Sequence, residues 1–474
     1  MSRDARAESA FAGAFRVNDV HSQLNETTVA RVVRVGALEE VQAAVRGAGA
    51  ADLPVAVCGS RHAMGGQQFC SGGVLIDTRP LGRVLELDDE RGTIEVEAGI
   101  AWPELVAYLH AREPERPAWA IRQKQSGADQ LTIGGAVAAN AHGRALTLKP
   151  IVDDVESFTL VGHDGDVKEC SRDENRELFR LVVGGYGLFG VVYSVTLRLA
   201  RRHKLERVVE VRPIDGLIDA FDARIRDGFV YGDFQFSIDP SDPEFLRRGV
   251  FSCYRPVDDE TPIPPSQRAL ATDDWKKLLY LAHVDKAQAW EQYTAHYLGT
   301  SGQIYLSDRH QFAEYIDDYH RWLDELTGAR DRATEMITEL YVPRERLDDF
   351  MTEAAADFRA NGVDVVYGTI RLIEHDDESF LAWARDRWAC VILNLHTVHT
   401  RTGIERSADA FRRMIDMAIA RGGSYFLTYH RWARRDQVAA CYPQFEEFLA
   451  HKRRLDPYER FQSDWYRHHV GLFA

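Results

Sequence analysis

Gly184-Gly185-Tyr186-Gly187-Leu188-Phe189-Gly190, running on into Val191-Val192-Tyr193-Ser194-Val195-Thr196-Leu197-Arg198-Leu199, is where the choice of fold is made. Gly185 to Gly190 matches G-x-G-x-x-G, the loop that seats a pyrophosphate on a helix N-terminus in dinucleotide-binding βαβ units. That chemistry needs a helix directly after the loop. Val191 to Leu199 is instead β-branched and alternating, which predicts a strand. The match fails in its context, and a Rossmann reading is set aside.

Outward from this point, the first two hundred residues read as short strands with two helices. Thr28–Val35, Pro54–Cys58, Gly73–Asp77, Arg83–Leu87, Thr93–Ala98, Val155–Val161 and Val167–Cys170 have strand character, and Ala37–Arg46 and Trp102–Arg112 have apolar residues at helical spacing. Asp88–Gly92 and His163–Asp166 are hairpin signals. Past Arg202 the chain becomes richer in Trp, Tyr and acids. Helical patterns cover Trp275–Leu298, Gln311–Thr327 and Leu347–Asn361, and strands are expected over Thr338–Val342, Val365–Leu372, Cys390–Val398 and Tyr425–Tyr429. An α+β chain with boundaries near 205 and 424 follows.

Composition narrows the function. Of 474 residues, 58 are Lys or Arg and 73 are Asp or Glu, a net charge of −15 that disfavours nucleic acid or an anionic membrane as the main partner. No stretch approaches the roughly 20 apolar residues of a membrane span. Met1 to Asn18 is charged and lacks the apolar core of a secretory signal. Six scattered cysteines form no C-x-x-C pair. A cytoplasmic, reduced protein without a metal site is expected.

Two glycine-bearing loops carry more information. Cys58-Gly59-Ser60-Arg61-His62-Ala63-Met64-Gly65-Gly66 follows a strand, and Gly127-Ala128-Asp129-Gln130-Leu131-Thr132-Ile133-Gly134-Gly135-Ala136 runs into Val137–Gly143. Either alone reads as a tight turn. Together with Gly184, Gly185 and Gly187 they offer several places where a backbone can closely approach a long dinucleotide.

With these residues in view, Val33 to Leu199 resembles the FAD-binding domain of the vanillyl-alcohol-oxidase, or PCMH-type, flavoprotein superfamily. The marks are Gly59–His62, Val74-Leu75-Ile76-Asp77, Val96-Glu97-Ala98-Gly99, Thr132-Ile133-Gly134-Gly135 and Gly184–Gly190, in the family's order. Tyr442-Pro443, Lys452–Pro457 and Phe461 look like the tail of the sugar-oxidising branch, which includes alditol and aldonolactone oxidases. The resemblance implies an α+β fold: an FAD-binding domain of two α/β subdomains over residues 1–205, completed by 425–474, and a cap over 206–424 with an antiparallel sheet that holds the substrate. It implies FAD contacts from Gly59, Ser60, Arg61, His62, Ala63, Gly127, Thr132, Gly134, Gly135, Ala139, Asn140, His142, Gly143, Gly190, Val191 and Val192. It also implies that His62 is linked covalently to the flavin, and that His142 lies near the flavin ring.

The cap departs from the pattern. Glu339-Leu340-Tyr341-Val342-Pro343-Arg344 matches the branch's Val-Pro-Arg strand. Where polyol and lactone oxidases carry Glu-x-Arg, this chain has Thr369-Ile370-Arg371, and where they carry a lysine it has Tyr429. Both losses argue against a simple polyol or aldonolactone. Oxidising a carbinol leaves a hydroxyl proton for a base to accept, so Tyr429, His430, Arg371 and His396 are the catalytic candidates, with Asn394 beside His396. His396 and His399 are not a credible metal pair, since three residues along a strand reverse the face. His468-His469 reads as solvated. The expected function is an FAD-dependent oxidase of a hydroxylated, sugar-like small molecule that passes electrons to O2; a dehydrogenase with another acceptor is the alternative.

Overall fold

The computed structural model describes residues 14–112, 118–313 and 315–474. The signal reading over Met1–Asn18 therefore falls mostly outside the described residues, as does position 314 of the Gln311–Thr327 pattern.

Strands Arg31–Arg34, Val74–Asp77 and Val55–Cys58 form a parallel sheet with Val74–Asp77 in the middle. The Leu38–Ala50 helix makes the crossover between the outer two, burying Val41, Val45 and Ala48 on one stripe. Phe461, from far along the chain, completes this core and bridges to Val55. Val55 N donates to Arg460 O at 2.6 Å, and Gln462 N donates to Val55 O at 2.9 Å.

Val191–Arg201 is a strand, and it lies inside an antiparallel sheet between Val155–Val161 and Thr93–Glu97. The glycine-rich turn before it has a structural task. Gly184 N donates to Val137 O and Tyr186 N to Ala138 O, each at 3.0 Å, closing the C-terminal end of the Ile133–Ala139 helix. The turn takes positive φ at Gly184, Tyr186 and Gly187 (+74°, +53° and +73°), which the two glycines adopt without strain.

Between Arg201 and Lys204 the chain passes into an eight-stranded antiparallel sheet. Its order is Ile304–Leu306, Lys204–Pro213, Arg248–Val257, Tyr231–Phe236, Val365–Ile373, Trp388–Val398, Ala333–Pro343 and Ser424–Tyr425. Helices Leu347–Asn361 and Arg401–Ile419 pack on it. The fold is α+β, as expected.

Four local expectations change. Trp275–Leu298 is two helices, Thr272–Val284 and Lys286–Leu298, because Asp285 leaves helical geometry and its side chain caps the second by accepting from Gln288 N. Only Tyr319–Thr327 of the Gln311–Thr327 pattern is α-helix, preceded by a 3-10 turn at Arg309–Gln311. Tyr425–Tyr429 is not a strand beyond Ser424–Tyr425: Leu427 O accepts from Trp465 Nε1 and Thr428 O from Gln67 Nε2, so side chains use carbonyls a strand neighbour would need. His469 is buried rather than solvated, with its ring 4.2 Å from Trp465 and its Nδ1 donating to Trp465 O. All six cysteines are buried and free. Among the described residues, no helix is long and apolar enough to cross a membrane.

Candidate functional site

The two glycine loops meet. Thr132 Oγ1 caps the Ile133–Ala139 helix by accepting from Gly135 N at 3.3 Å, and it occupies the space a Cβ on Gly59 would need. Ser60 Oγ donates to Gln130 O, and Ala63 O accepts from Gln68 Nε2 at 2.6 Å. Arg61 turns the loop through a left-handed φ of +63°. This brings His62 Nδ1 to 2.8 Å from His21 Nε2, beneath Tyr315. Burial lowers the His62 imidazole to about 4, so the ring is neutral at pH 7.

A Cβ on Gly134 would stand 2.9 Å from Ala98 Cβ, and one on Gly143 2.8 Å from Lys124 O, whereas Gly127 faces open space. Arg61 Nε, Gln125 Nε2 and Ser126 Oγ are buried without a hydrogen-bond partner. Buried donors left unmade are costly. These three, on loops where glycine lets a ligand approach the backbone, fit a cofactor with phosphate and carbonyl oxygens such as FAD. Asn140 differs from the other expected contacts, because its side chain is spent within the protein on Asp376 Oδ2, Ser379 Oγ and Val152 N. Ala139 is half-buried, and Val191 sits in the parallel-sheet core. Gly190, at φ +154°, passes so near Val161 O that a Cβ would stand 2.6 Å from it, and Val192 is half-buried after it.

The chemical groups converge on one carboxylate. In the cap sheet Glu339 lies opposite Ile392 and Tyr341 opposite Cys390, while Thr369 and Arg371 lie opposite the same two residues from the other side. Paired positions share a face, so Glu339, Tyr341, Cys390, Thr369 and Arg371 all point towards the glycine loops. Glu339 Oε2 is 2.9 Å from His142 Nε2 and accepts from Tyr341 Oη at 2.9 Å; Oε1 accepts from Tyr429 Oη at 2.8 Å. Burial alone would raise this carboxyl. The adjacent His142 and the hydrogen bonds from His142, Tyr429 and Tyr341 outweigh it and hold the group below the usual range. Burial and the Glu339 charge push the Tyr429 phenol well above its ordinary value.

Arg371 is 4% exposed, reaches Ser126 O at 3.5 Å through Nη2, and leaves Nε without a partner. It has no carboxylate partner among the described residues. Thr369 Oγ1 and Gln235 Oε1, paired positions on the same face, are also buried and unmet. A buried cation beside unmet polar groups is suited to an oxygen-rich ligand.

Of the four catalytic candidates, Tyr429 and Arg371 come together here. His430 does not. It bonds Thr338, the neighbour of Glu339 that faces the other side of the sheet, and stacks on Phe411, Tyr425 and Trp432. Burial drives its ring down to about 3. The opposed directions of Tyr429 and His430 are thus real, although a turn produces them rather than a strand. His396 shares the face of Glu339 but stands opposite Glu335, four residues away along the neighbouring strand, among His283 and His320. Glu339 and Glu335 were missed from the sequence. Their signal was legible, since two acids four apart in an otherwise strand-forming run share one face.

Comparison with known proteins accords with this geometry. Residues 29–171 match the family model described as an FAD binding domain. The chain is 34% identical over 196 residues to the uncharacterized oxidoreductase ORF5 in the fasciation locus of Rhodococcoides fascians, a match covering 41% of this chain and 42% of that protein. It is 25% identical over 409 residues to L-gulono-1,4-lactone dehydrogenase of Mycobacterium tuberculosis, covering 85% and 87% of the two chains. It is 28% identical over 193 residues to L-gulonolactone oxidase of Mus musculus, covering 40% and 41%. Residues 29–171 are thus an FAD-binding domain, and the chain is an FAD-dependent oxidoreductase that is similar to the sugar-lactone dehydrogenase and oxidase named above.

Proposed function

We propose that the protein oxidises a CH–OH group of a sugar-like small molecule to a carbonyl and passes the electrons to O2. FAD, when bound, supplies the acceptor for the hydride. The observation that carries this reading is Glu339, a buried carboxylate joining His142 beside the glycine loops to Tyr429 of the opposite wall. A substrate hydroxyl at Tyr429 Oη gives its proton to that oxygen, while Tyr429 passes its own proton across 2.8 Å to Glu339 Oε1. His142, with acceptors at both ring nitrogens, keeps the carboxylate oriented. Arg371 holds the substrate oxygen as negative charge develops on it, in a site where low polarity strengthens the interaction.

The loop backbones from Gly59 to Ala63 and from Thr132 to Gly135, with Gly127 and Gly143, would hold the cofactor. His62, half-buried and neutral, is its point of covalent attachment. The six free cysteines suit a reducing compartment, the cytoplasm. Thr369 and Tyr429, in place of an acid and a lysine, favour a hydroxylated sugar derivative other than the lactones for which the relatives are named.

A peroxide-coupled screen of sugars, alditols, nucleosides and lactones tests the reading. Peroxide released with one class supports it; no flavin bleaching with any of them, even under anaerobic conditions, rejects it. A dehydrogenase reading is favoured by the name of the mycobacterial relative, which matches 85% of this chain. Stopped-flow mixing of the reduced protein with air separates the two, because a dehydrogenase would stay reduced.

A further inference from the structure

Along the same strand as Glu339, and on the same face, lies a second convergence of side chains. We propose that His283, Glu335 and His396 bind a divalent first-row transition ion of the zinc class. Glu335 is 4% exposed and stands directly opposite His396 in the sheet, while His283 arrives from the Thr272–Val284 helix. Glu335 Oε1 is 2.9 Å from His283 Nε2 and 3.7 Å from His396 Nδ1. The three ligand atoms all lie within 4.8 Å of one another. Ligands at about 2.0–2.2 Å around a tetrahedral ion sit about 3.3 Å apart, so the two measured spacings bracket that edge.

The direction of the His283 ring sharpens the case. His283 Nδ1 donates to Leu279 O at 2.8 Å, which orients the ring so that Nε2 faces a Glu335 carboxylate oxygen 2.9 Å away. Anchoring one ring nitrogen on a carbonyl is also how metal-bound histidines are commonly held.

His320 supplies a separate observation. It is 3% exposed, and its Nδ1 lies 2.9 Å from Glu335 Oε2, yet neither ring nitrogen has an aligned hydrogen-bond partner. His396 Nδ1 has none either. One divalent ion would draw together a carboxylate oxygen of Glu335, His283 Nε2 and His396 Nδ1. Tyr319 Oη, which donates to Glu335, supports the carboxylate from outside the ligand set. At the Glu339 cluster the situation differs, since two phenols already donate to that carboxylate. The sequence hides the site because its ligands come from three separate elements.

The test uses the purified full chain with its flavin, so it does not depend on turnover or on the redox reading above. The protein is stripped with a chelator, exposed to Zn(II), desalted and assayed by mass spectrometry for metal; affinity is then measured by competition with a chromophoric chelator. One zinc per chain is expected, with at least a tenfold loss of affinity in Glu335→Gln and in His396→Asn, and a zinc-dependent rise in Tm that both variants lack. His396 is half-buried, so its variant serves if Glu335→Gln fails to fold. Less than a tenth of an equivalent bound to the parent, or undiminished binding in His396→Asn, overturns the proposal.

Discussion

Tyr429 and His430 are adjacent and chemically able, and only their surroundings separate them. The phenol of Tyr429 meets a buried carboxylate on the face of the sheet that carries His142, whereas the imidazole of His430 is stacked between aromatic rings on the far side. Tyr429→Phe should therefore slow anaerobic flavin reduction by about 10²–10⁴-fold, the usual contribution of a positioned proton acceptor, with the flavin spectrum retained. His430→Phe should reduce at the parent rate, and equal rates in both variants would move the proton relay elsewhere. His62→Ala should release all flavin into the supernatant on acid precipitation, while the parent pellet stays yellow. The two glycine-bearing loops stand out in the sequence, because close backbone approach demands glycine at particular spacings. The sequence displays Glu339 only as one of two acids on a shared strand face; what makes that residue chemical is His142, almost two hundred positions away in the chain.

Elements were legible wherever local pattern and tertiary packing agree. Trp102–Arg112 and Leu347–Asn361 begin and end where the periodicity places them. The failures are instructive in physical terms. Helical spacing runs through Trp275–Leu298 without interruption, but Asp285 spends its carboxylate on Gln288 N at 3.0 Å and so starts a new helix. Replacing a capping side chain by alanine costs about 1 kcal/mol. Asp285→Ala should lower thermal stability by that order while leaving flavin content unchanged; an unaltered Tm would mean the cap contributes nothing. Because His283 lies just before this break, the kink also sets the angle at which its ring enters the cap sheet. At Leu427–Thr428, strand propensity yields to side chains from distant segments, which no window of sequence could reveal.

For the molecule as a whole, histidine burial sets the response to acid. Burial lowers both His430 and His469 to about 3, against about 6.5 in an unfolded chain. Between those values the unfolded chain binds more protons than the folded one, so stability is complete above pH 6.5 and falls as pH drops. From pH 6.5 to 5 each ring costs about 2 kcal/mol, at 1.4 kcal/mol per pH unit. Tm should fall markedly over that range, and less so in His430→Phe; a flat profile would show that the rings are not kept neutral by the fold. The closing of the parallel sheet has a further consequence. Phe461 fills the core around Val55 and Val74, and the backbone of Val55 is bonded to both neighbours of Phe461. A ribosome must therefore have made nearly the whole chain before the first hundred residues can seal their own core. Cofactor loading would then follow synthesis instead of accompanying it, and a chain arrested before position 461 would expose an unfinished flavin site to the cell's proteases.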